Sequence, residues 1–123
     1  MAQYSHLPIY NVAFDLLKEL YQRVPKFAKQ YKYFLGGRLI GYNVDIVSLI
    51  IQANSEKDAQ RRKYFLDELI NIIELLTIHL RMANELKQLG AQKAYLYLSE
   101  KAVVLSKQAE GWKKYMPRNS QSA

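Results

Sequence analysis

The side chains that could carry acid–base or metal chemistry in this chain are few. The two histidines are His6, near the start, and His79, inside an apolar repeat. Neither has a carboxylate at the spacing of a metal-binding helix such as His-Glu-x-x-His, and Glu74 lies off the face of His79. The acids Asp67 and Glu68 occupy polar helical positions, which a solvated face explains. The sequence therefore predicts no catalytic residue, no metal site and no cofactor, and we expect the chain not to be an enzyme.

Three glycines lie close together at Gly36, Gly37 and Gly41. A phosphate-binding loop needs a preceding strand and, in the Walker type, Gly-Lys-Ser/Thr, and this stretch has neither. Gly37 and Gly41 are one helical turn apart. Because glycine costs a helix about 1 kcal/mol relative to alanine, we attribute the pair to the close approach of a neighbouring helix.

The stronger chemical signal is a stretch that combines cations with aromatic rings. Residues 20–44 contain no acid. Five cations, Arg23, Lys26, Lys29, Lys32 and Arg38, alternate there with Tyr21, Phe27, Tyr31, Tyr33 and Phe34. A second basic group, Lys113, Lys114 and Arg118, follows the last acid, and a third, Arg61, Arg62 and Lys63, lies mid-chain. The net charge of +7 has the same sign.

Lysine and arginine neutralise phosphates, and tyrosine stacks on unpaired bases. The sequence therefore predicts nucleic-acid binding, to RNA or DNA, by the first and second basic groups. The alternative interpretation is a solvated basic face with tyrosines packed at its rim.

The elements that must position these residues are four helices, predicted at 8–24, 33–53, 57–89 and 92–115, with a polar tail at 118–123. Pro8, Pro25 and Pro117 mark boundaries, and Gly90 closes the third helix. Ser55, with Asp58 three residues later, resembles a capping box at the start of that helix. Short connections between long helices favour antiparallel neighbours. We therefore expect a single all-α domain, 1–123, with the fold of an antiparallel up-down-up-down four-helix bundle.

Apolar residues recur in steps of three and four along all four helices. The predicted seams are Ile9, Ala13, Leu16, Leu20 and Val24; Leu35, Leu39, Tyr42, Ile46, Leu49 and Ala53; Leu66, Leu69, Ile73, Leu76, Leu80 and Ala83; and Tyr95, Leu98, Ala102, Leu105, Ala109, Trp112 and Met116.

The second and third helices each have a further apolar line. These lines are Ile40, Val44, Val47 and Ile51, and Phe65, Ile72, Leu75, His79, Met82, Leu86 and Leu89. The extra surface is either a wide core face or a contact with another copy of the chain. We favour the contact, and predict a closed ring-shaped homo-oligomer.

The chain has no cysteine, and its start lacks the basic and apolar pattern of a signal peptide. Charges interrupt each later apolar stretch before the length of a membrane span. These features predict a cytoplasmic protein with no membrane partner.

Several short motifs resemble one known family. They are Pro8-Ile-Tyr10, Phe14-Asp-Leu-Leu17, Pro25-Lys26, Tyr31-Lys-Tyr-Phe-Leu-Gly36, Gln52-Ala-Asn54 and Gly111-Trp112. The resemblance is to the four-helix-bundle family of the Avd (accessory variability determinant) proteins of diversity-generating retroelements, which also contains the intervening-sequence proteins of 23S ribosomal RNA genes. It extends from about residue 8 to residue 115.

This resemblance implies a homopentamer of four-helix protomers with a basic surface. An Avd-like member would bind RNA or DNA and the retroelement reverse transcriptase during mutagenic retrohoming. Many intervening-sequence proteins contain Ser-Ile-Pro-Ser-Asn-Ile-Ala-Glu-Gly, where this chain has Val47-Ser-Leu-Ile-Ile-Gln-Ala-Asn54, which favours the Avd side. The alternative function is a structural or protein-interaction bundle of the intervening-sequence type with no nucleic-acid role.

Overall fold

The computed structural model describes residues 3–116, and these contain helices but no strand. Helix α1 spans Pro8–Arg23 and is followed by a 3-10 turn at Val24–Lys26. A single helical turn, α2, spans Lys29–Lys32, and the long helices α3, α4 and α5 span Phe34–Ser55, Ala59–Glu85 and Gln92–Lys114. The prediction of an all-α fold with four packed helices is confirmed. Pro117 and the predicted tail, 118–123, lie outside the described residues.

Each long helix packs against two others in the cyclic order α1, α3, α4, α5. Cross-helix pairs show that the neighbours run antiparallel. Val24, just after α1, lies against Gly36 at the start of α3, Tyr42 near the start of α3 contacts His79 near the end of α4, and Lys113 of α5 bonds to Asp67 of α4. The connections 56–58 and 86–91 are too short for any other direction.

The predicted seams of α1 and α4 are confirmed, because all of their residues are buried. The α3 seam is wrong at two positions, because Asn43 and Ile50 are buried where Tyr42 and Leu49 were expected. Tyr42 and Leu49 are half-buried and pack against the core from one flank. The predicted and the buried lines start and end at the same residues, and they differ only in the order in which steps of three and four residues follow one another.

The α5 seam is confirmed from Leu98 to Ala109. Trp112 is only half-buried, as is Tyr95. Trp112 lines an open apolar hollow of about 320 Å³ with Leu7, Pro8 and Ile9, between α5 and the start of α1. The side chain therefore covers the edge of the core rather than filling it.

The ends of α4 also differ from the prediction. Asp58, not Ser55, is the N-cap, because its carboxylate accepts from the Arg61 N–H at 3.0 Å. Ser55 is the last residue of α3, and its hydroxyl donates to the Ile51 carbonyl. The helix ends at Glu85 instead of residue 89, since Lys87 takes a left-handed conformation with φ of 61°.

The second apolar lines are mostly wide core faces. Ile40, Val47, Ile72 and Leu86 pack against the core from its edge. Met82 remains exposed, and so does Val44. Only part of the extra apolar surface is therefore left for another copy of the chain.

The glycines are used differently from the expectation. Within the chain, the close contact is at Gly36, where a Cβ atom would collide with the side chain of Val24. A Cβ at Gly37 or Gly41 would meet nothing within 4 Å. No helix in the described part of the chain approaches these two glycines.

The segment Lys29–Ser55 is, by length and composition, long and apolar enough to cross a membrane, with a mean hydropathy of 1.4 over its most apolar 18 residues. This corrects the expectation that charges interrupt every apolar stretch too early. In the bundle, the apolar side chains of Leu39, Ile46 and Ile50 fill the core, which accounts for the hydropathy of the segment.

Candidate nucleic-acid interface

The basic end of the bundle, defined here as residues 23–38 and 86–93, is formed where α1 ends and α3 begins. Two buried side chains, Val24 and Phe27, anchor the segment between these helices to the core. The Ala28 N–H donates to Oε1 of Gln88 at 2.7 Å, which fixes the segment to the loop between α4 and α5. The positions of the nearby cations are therefore set by a well-anchored backbone.

Four predicted binding residues lie at this end without a carboxylate partner. Lys26, Lys29 and Arg38 are exposed and Lys32 is half-buried. Within residues 3–116, none of them forms an ion pair. The Arg38 guanidinium instead donates to the Tyr42 hydroxyl at 3.4 Å. These cations are free to neutralise an external anion.

Arg23 differs from these four. Its Nε donates to the Glu19 carboxylate at 3.0 Å, four residues earlier on α1, and both side chains are partly buried. Although residues 20–44 contain no acid, the charge of Arg23 is therefore compensated by an acid that lies just before this stretch. The pair leaves the two Nη groups of Arg23 without a partner among residues 3–116.

The aromatic residues of the stretch divide into buried and exposed sets. Phe27 is 4% exposed, and Tyr31 packs against the core, so neither presents a free ring face. Tyr33 and Phe34 are 77% and 82% exposed. They line a shallow hollow of about 420 Å³ with Lys29 and Gln30. Two rings beside unpaired cations are a suitable platform for unpaired bases.

The second predicted group lies at the opposite end of the bundle. Lys113 Nζ is 2.6 Å from an oxygen of Asp67. Their hydrogen bond raises the pKa of Lys113 and lowers the pKa of Asp67. Lys114 is exposed and lies over the ring of Tyr115 at 5.5 Å from its centroid. Arg118 lies outside the described residues.

Since α5 runs antiparallel to α4, its last turn lies far from the α1–α3 connection. The two predicted groups therefore do not form one surface. Lys113 is neutralised by Asp67, and the first group has more uncompensated charge.

The third basic group is structural. Arg61 pairs with Glu56 at 3.5 Å and Lys63 with Asp67 at 3.4 Å. The Arg62 guanidinium donates to the carbonyls of Ala53 and Glu56 at the end of α3. Arg62 therefore joins α4 to the end of α3, whereas Lys63 pairs within α4 and Arg61 pairs with the connection before it, so each of the three has a partner within the fold.

The sequence analysis missed Lys87 and Lys93, which the fold adds to the basic end. Lys87 lines a hollow with Arg23 and Lys26, and Lys93 lines the adjoining hollow with Arg23. In the sequence, the feature that could have indicated them is their position on either side of Gly90, where a helix ends. Only the antiparallel packing places that break beside residues 23–26.

His79 is positioned for packing. Its ring meets Tyr42 edge-on, at 5.0 Å between centroids, and its Nδ1 lies 2.8 Å from the Leu75 carbonyl. Because a carbonyl only accepts, Nδ1 carries the proton. Across residues 3–116 no three His, Asp or Glu side chains are grouped to hold a metal ion.

No family model matches this chain, and no curated protein matches it. The assignment of a function therefore depends on the geometry of the basic end.

Proposed function

We propose that this protein is a non-enzymatic nucleic-acid-binding protein that binds single-stranded RNA or DNA at the basic end of the bundle. The observation that supports the proposal is the set of four unpaired cations around two exposed rings. Lys26, Lys29 and Arg38 are exposed, and Tyr33 and Phe34 present most of their surface to solvent.

The two kinds of side chain have separate tasks. Each cation that neutralises a phosphate releases counterions from the strand, so affinity falls as salt rises. Tyr33 and Phe34 stack on unpaired bases at about 1–3 kcal/mol per base, with little sequence preference. A duplex keeps its bases stacked inside, so it gains only the charge contribution. We therefore expect single strands to bind more tightly than duplexes of equal length.

The test is fluorescence anisotropy with a labelled single strand and its duplex, over a range of salt concentrations. Replacing Lys26, Lys29, Lys32 and Arg38 together by Gln should weaken binding to both, and should flatten the salt dependence. The double change Tyr33→Ala and Phe34→Ala should weaken single-strand binding by about tenfold or more. It should leave duplex binding nearly unchanged.

A matched control removes the same amount of charge elsewhere. Lys18, Lys57, Lys107 and Lys114 are exposed lysines outside the basic end, and Lys114 also represents the second predicted group. Changing these four to Gln should reduce affinity much less than the first set does. Equal losses in the two variants would show that net charge, not this site, drives binding.

A second proposal concerns self-association. The outer faces of α3 and α4 combine Gly37 and Gly41, which no part of the described chain covers, with exposed Val44 and Met82. Small residues let a second helix approach closely, and exposed apolar side chains favour its burial. We propose that copies of the chain associate through this face, in a ring of five as the family resemblance implies.

The partnership with a reverse transcriptase, also implied by the resemblance, stays a prediction. Co-purification with a reverse transcriptase encoded beside this gene would support it. If the chain binds no nucleic acid near physiological salt, the interaction-bundle alternative is the better description.

A further inference from the structure

The turn after α1 and the loop between α4 and α5 enclose a hollow of about 300 Å³ at the basic end. Its lining includes three cations from two segments that are distant in sequence, Arg23 and Lys26 from one and Lys87 from the other, together with Gln88, Leu89 and Gly90. No carboxylate lines this hollow. We propose that it binds a terminal phosphate monoester, the dianionic group at the end of a nucleic-acid strand. The strand-end identity rests on the proposed function.

The cations are prepared for an anion. Glu19 holds Arg23 through Nε at 3.0 Å, which orients the guanidinium and leaves its Nη groups available. Lys26 and Lys87 are exposed and have no ion pair in the described part of the chain. The adjoining hollow is lined by Lys93 and by the Glu19 carboxylate that pairs with Arg23.

Gln88 makes the hollow a preformed feature. Its Oε1 accepts from the Ala28 N–H at 2.7 Å, and its Nε2 donates to the Leu86 carbonyl at 2.8 Å. The side chain thus joins the two walls, and buried Leu89 lies beneath them. Because both polar atoms of its side chain are engaged in these hydrogen bonds, Gln88 acts as a positioning residue. The three cations supply the contacts with the phosphate.

The shape and charge favour a terminal group over a phosphodiester within a strand. A strand that continues past the site needs an open groove on both sides, whereas these walls are joined on one side by Gln88. A monoester also carries up to two charges, against one for a diester, so it gains more from converging cations. The exposed rings of Tyr33 and Phe34 belong to the same end of the bundle and remain available for bases of the same strand.

The experiment compares three versions of one short RNA, with a 5′-phosphate, with a 3′-phosphate, and with hydroxyl groups at both ends. We expect one phosphorylated version to bind the full chain about tenfold more tightly than the hydroxyl version at low salt. Inorganic phosphate should compete away that difference. It should also shift the backbone amide resonances of residues 87–90 in a titration without RNA.

Two variants test the role of the hollow. Lys87→Gln should remove most of the preference for the phosphorylated RNA, because it should weaken binding of that RNA several times more than binding of the hydroxyl RNA. Gln88→Ala keeps every charge but separates the walls, so it should also reduce the preference. Lys57→Gln, an exposed lysine at the other end of the bundle, is the matched control and should leave the preference intact.

The outcomes separate the two proposals. Equal binding of all three RNAs, with an equal effect of Lys87→Gln on each, overturns the phosphate site and leaves the general nucleic-acid proposal standing. Amide shifts with inorganic phosphate, but no binding of any RNA, support a phosphate site and overturn the strand-end identity together with the proposed function. No response to RNA or to phosphate overturns both.

Discussion

At the scale of single residues, Gly36 and Val24 set how closely α3 approaches the turn after α1. A Cβ atom at Gly36 would overlap Cγ1 of Val24, a short side chain that is itself buried. Neither partner can move without disturbing the core beneath the basic end. This contact therefore fixes the position of the segment that carries Lys26 and Lys29.

Because of this contact, we predict that substitutions at Gly36 and Val24 have strongly coupled effects on the free energy of unfolding. Gly36→Ala should lower the free energy of unfolding by about 1–3 kcal/mol, because overpacking outweighs the gain in helix propensity. In a Val24→Ala background the overlap is absent, and the same change should be neutral or stabilising by up to about 1 kcal/mol. Urea unfolding of the four proteins of this cycle measures the coupling.

Gly111→Ala is the control for helix propensity alone. A Cβ there meets nothing within 4 Å, and the residue lies inside α5. The change should stabilise the protein slightly. If Gly36→Ala behaves like Gly111→Ala, the close contact with Val24 does not limit the approach of α3.

At the scale of elements, Arg62 joins the end of α3 to the start of α4. Its Nε lies 3.0 Å from the carbonyl oxygens of both Ala53 and Glu56, and one Nη lies 2.6 Å from the Glu56 oxygen. The last carbonyls of a helix have no partner within the helix, so a charged donor there is stabilising. Arg62 lets two long helices be connected by three residues.

We predict that Arg62→Gln lowers the free energy of unfolding by about 1–3 kcal/mol, because these partly buried hydrogen bonds to the Ala53 and Glu56 carbonyls lose their charged donor. The neighbouring change Arg61→Gln should cost less than about 1 kcal/mol, since its ion pair with Glu56 is exposed on the arginine side. Thermal unfolding followed by circular dichroism compares the two. Similar losses in both variants would contradict the capping role of Arg62.

At the scale of the whole molecule, the open question is whether the outer faces of α3 and α4 meet another copy. No group in the described part of the chain covers Gly41, and Met82 is exposed on the neighbouring helix. A ring would repeat the basic end once per protomer, and several weak phosphate contacts would then act together on one strand.

We predict that Gly41→Leu and Met82→Glu each reduce the mass measured by light scattering to that of a protomer, with helical circular dichroism retained. Val103→Glu is the matched control, because Val103 is as exposed as Met82, at 49% against 48%, but lies on α5. A parent protein with the mass of one chain at all concentrations would contradict the ring.

The sequence by itself determined the helical class of the chain and its four long helices, but not the short helical turns at Val24–Lys26 and Lys29–Lys32. Apolar spacing, three prolines and Gly90 gave four helices within a few residues of their observed ends, because periodicity and backbone restriction are local properties. The acid-free stretch was likewise visible as a run of residues. The exact buried line of α3 was not, because Asn43 and Tyr42 exchange places through a small change in helical phase.

Only the tertiary structure decided which cations are free. Lys26 and Lys113 look alike in the sequence, yet Lys113 meets Asp67, 46 positions earlier in the chain. Lys26 meets no acid among residues 3–116. Lys87 joins Arg23 and Lys26 for the same reason, since antiparallel packing brings the loop after α4 to the turn after α1. The net charge of a segment follows from its residues alone. Whether a cation is neutralised by an acid, or lies beside other cations, depends on distances in space, which local sequence patterns do not contain.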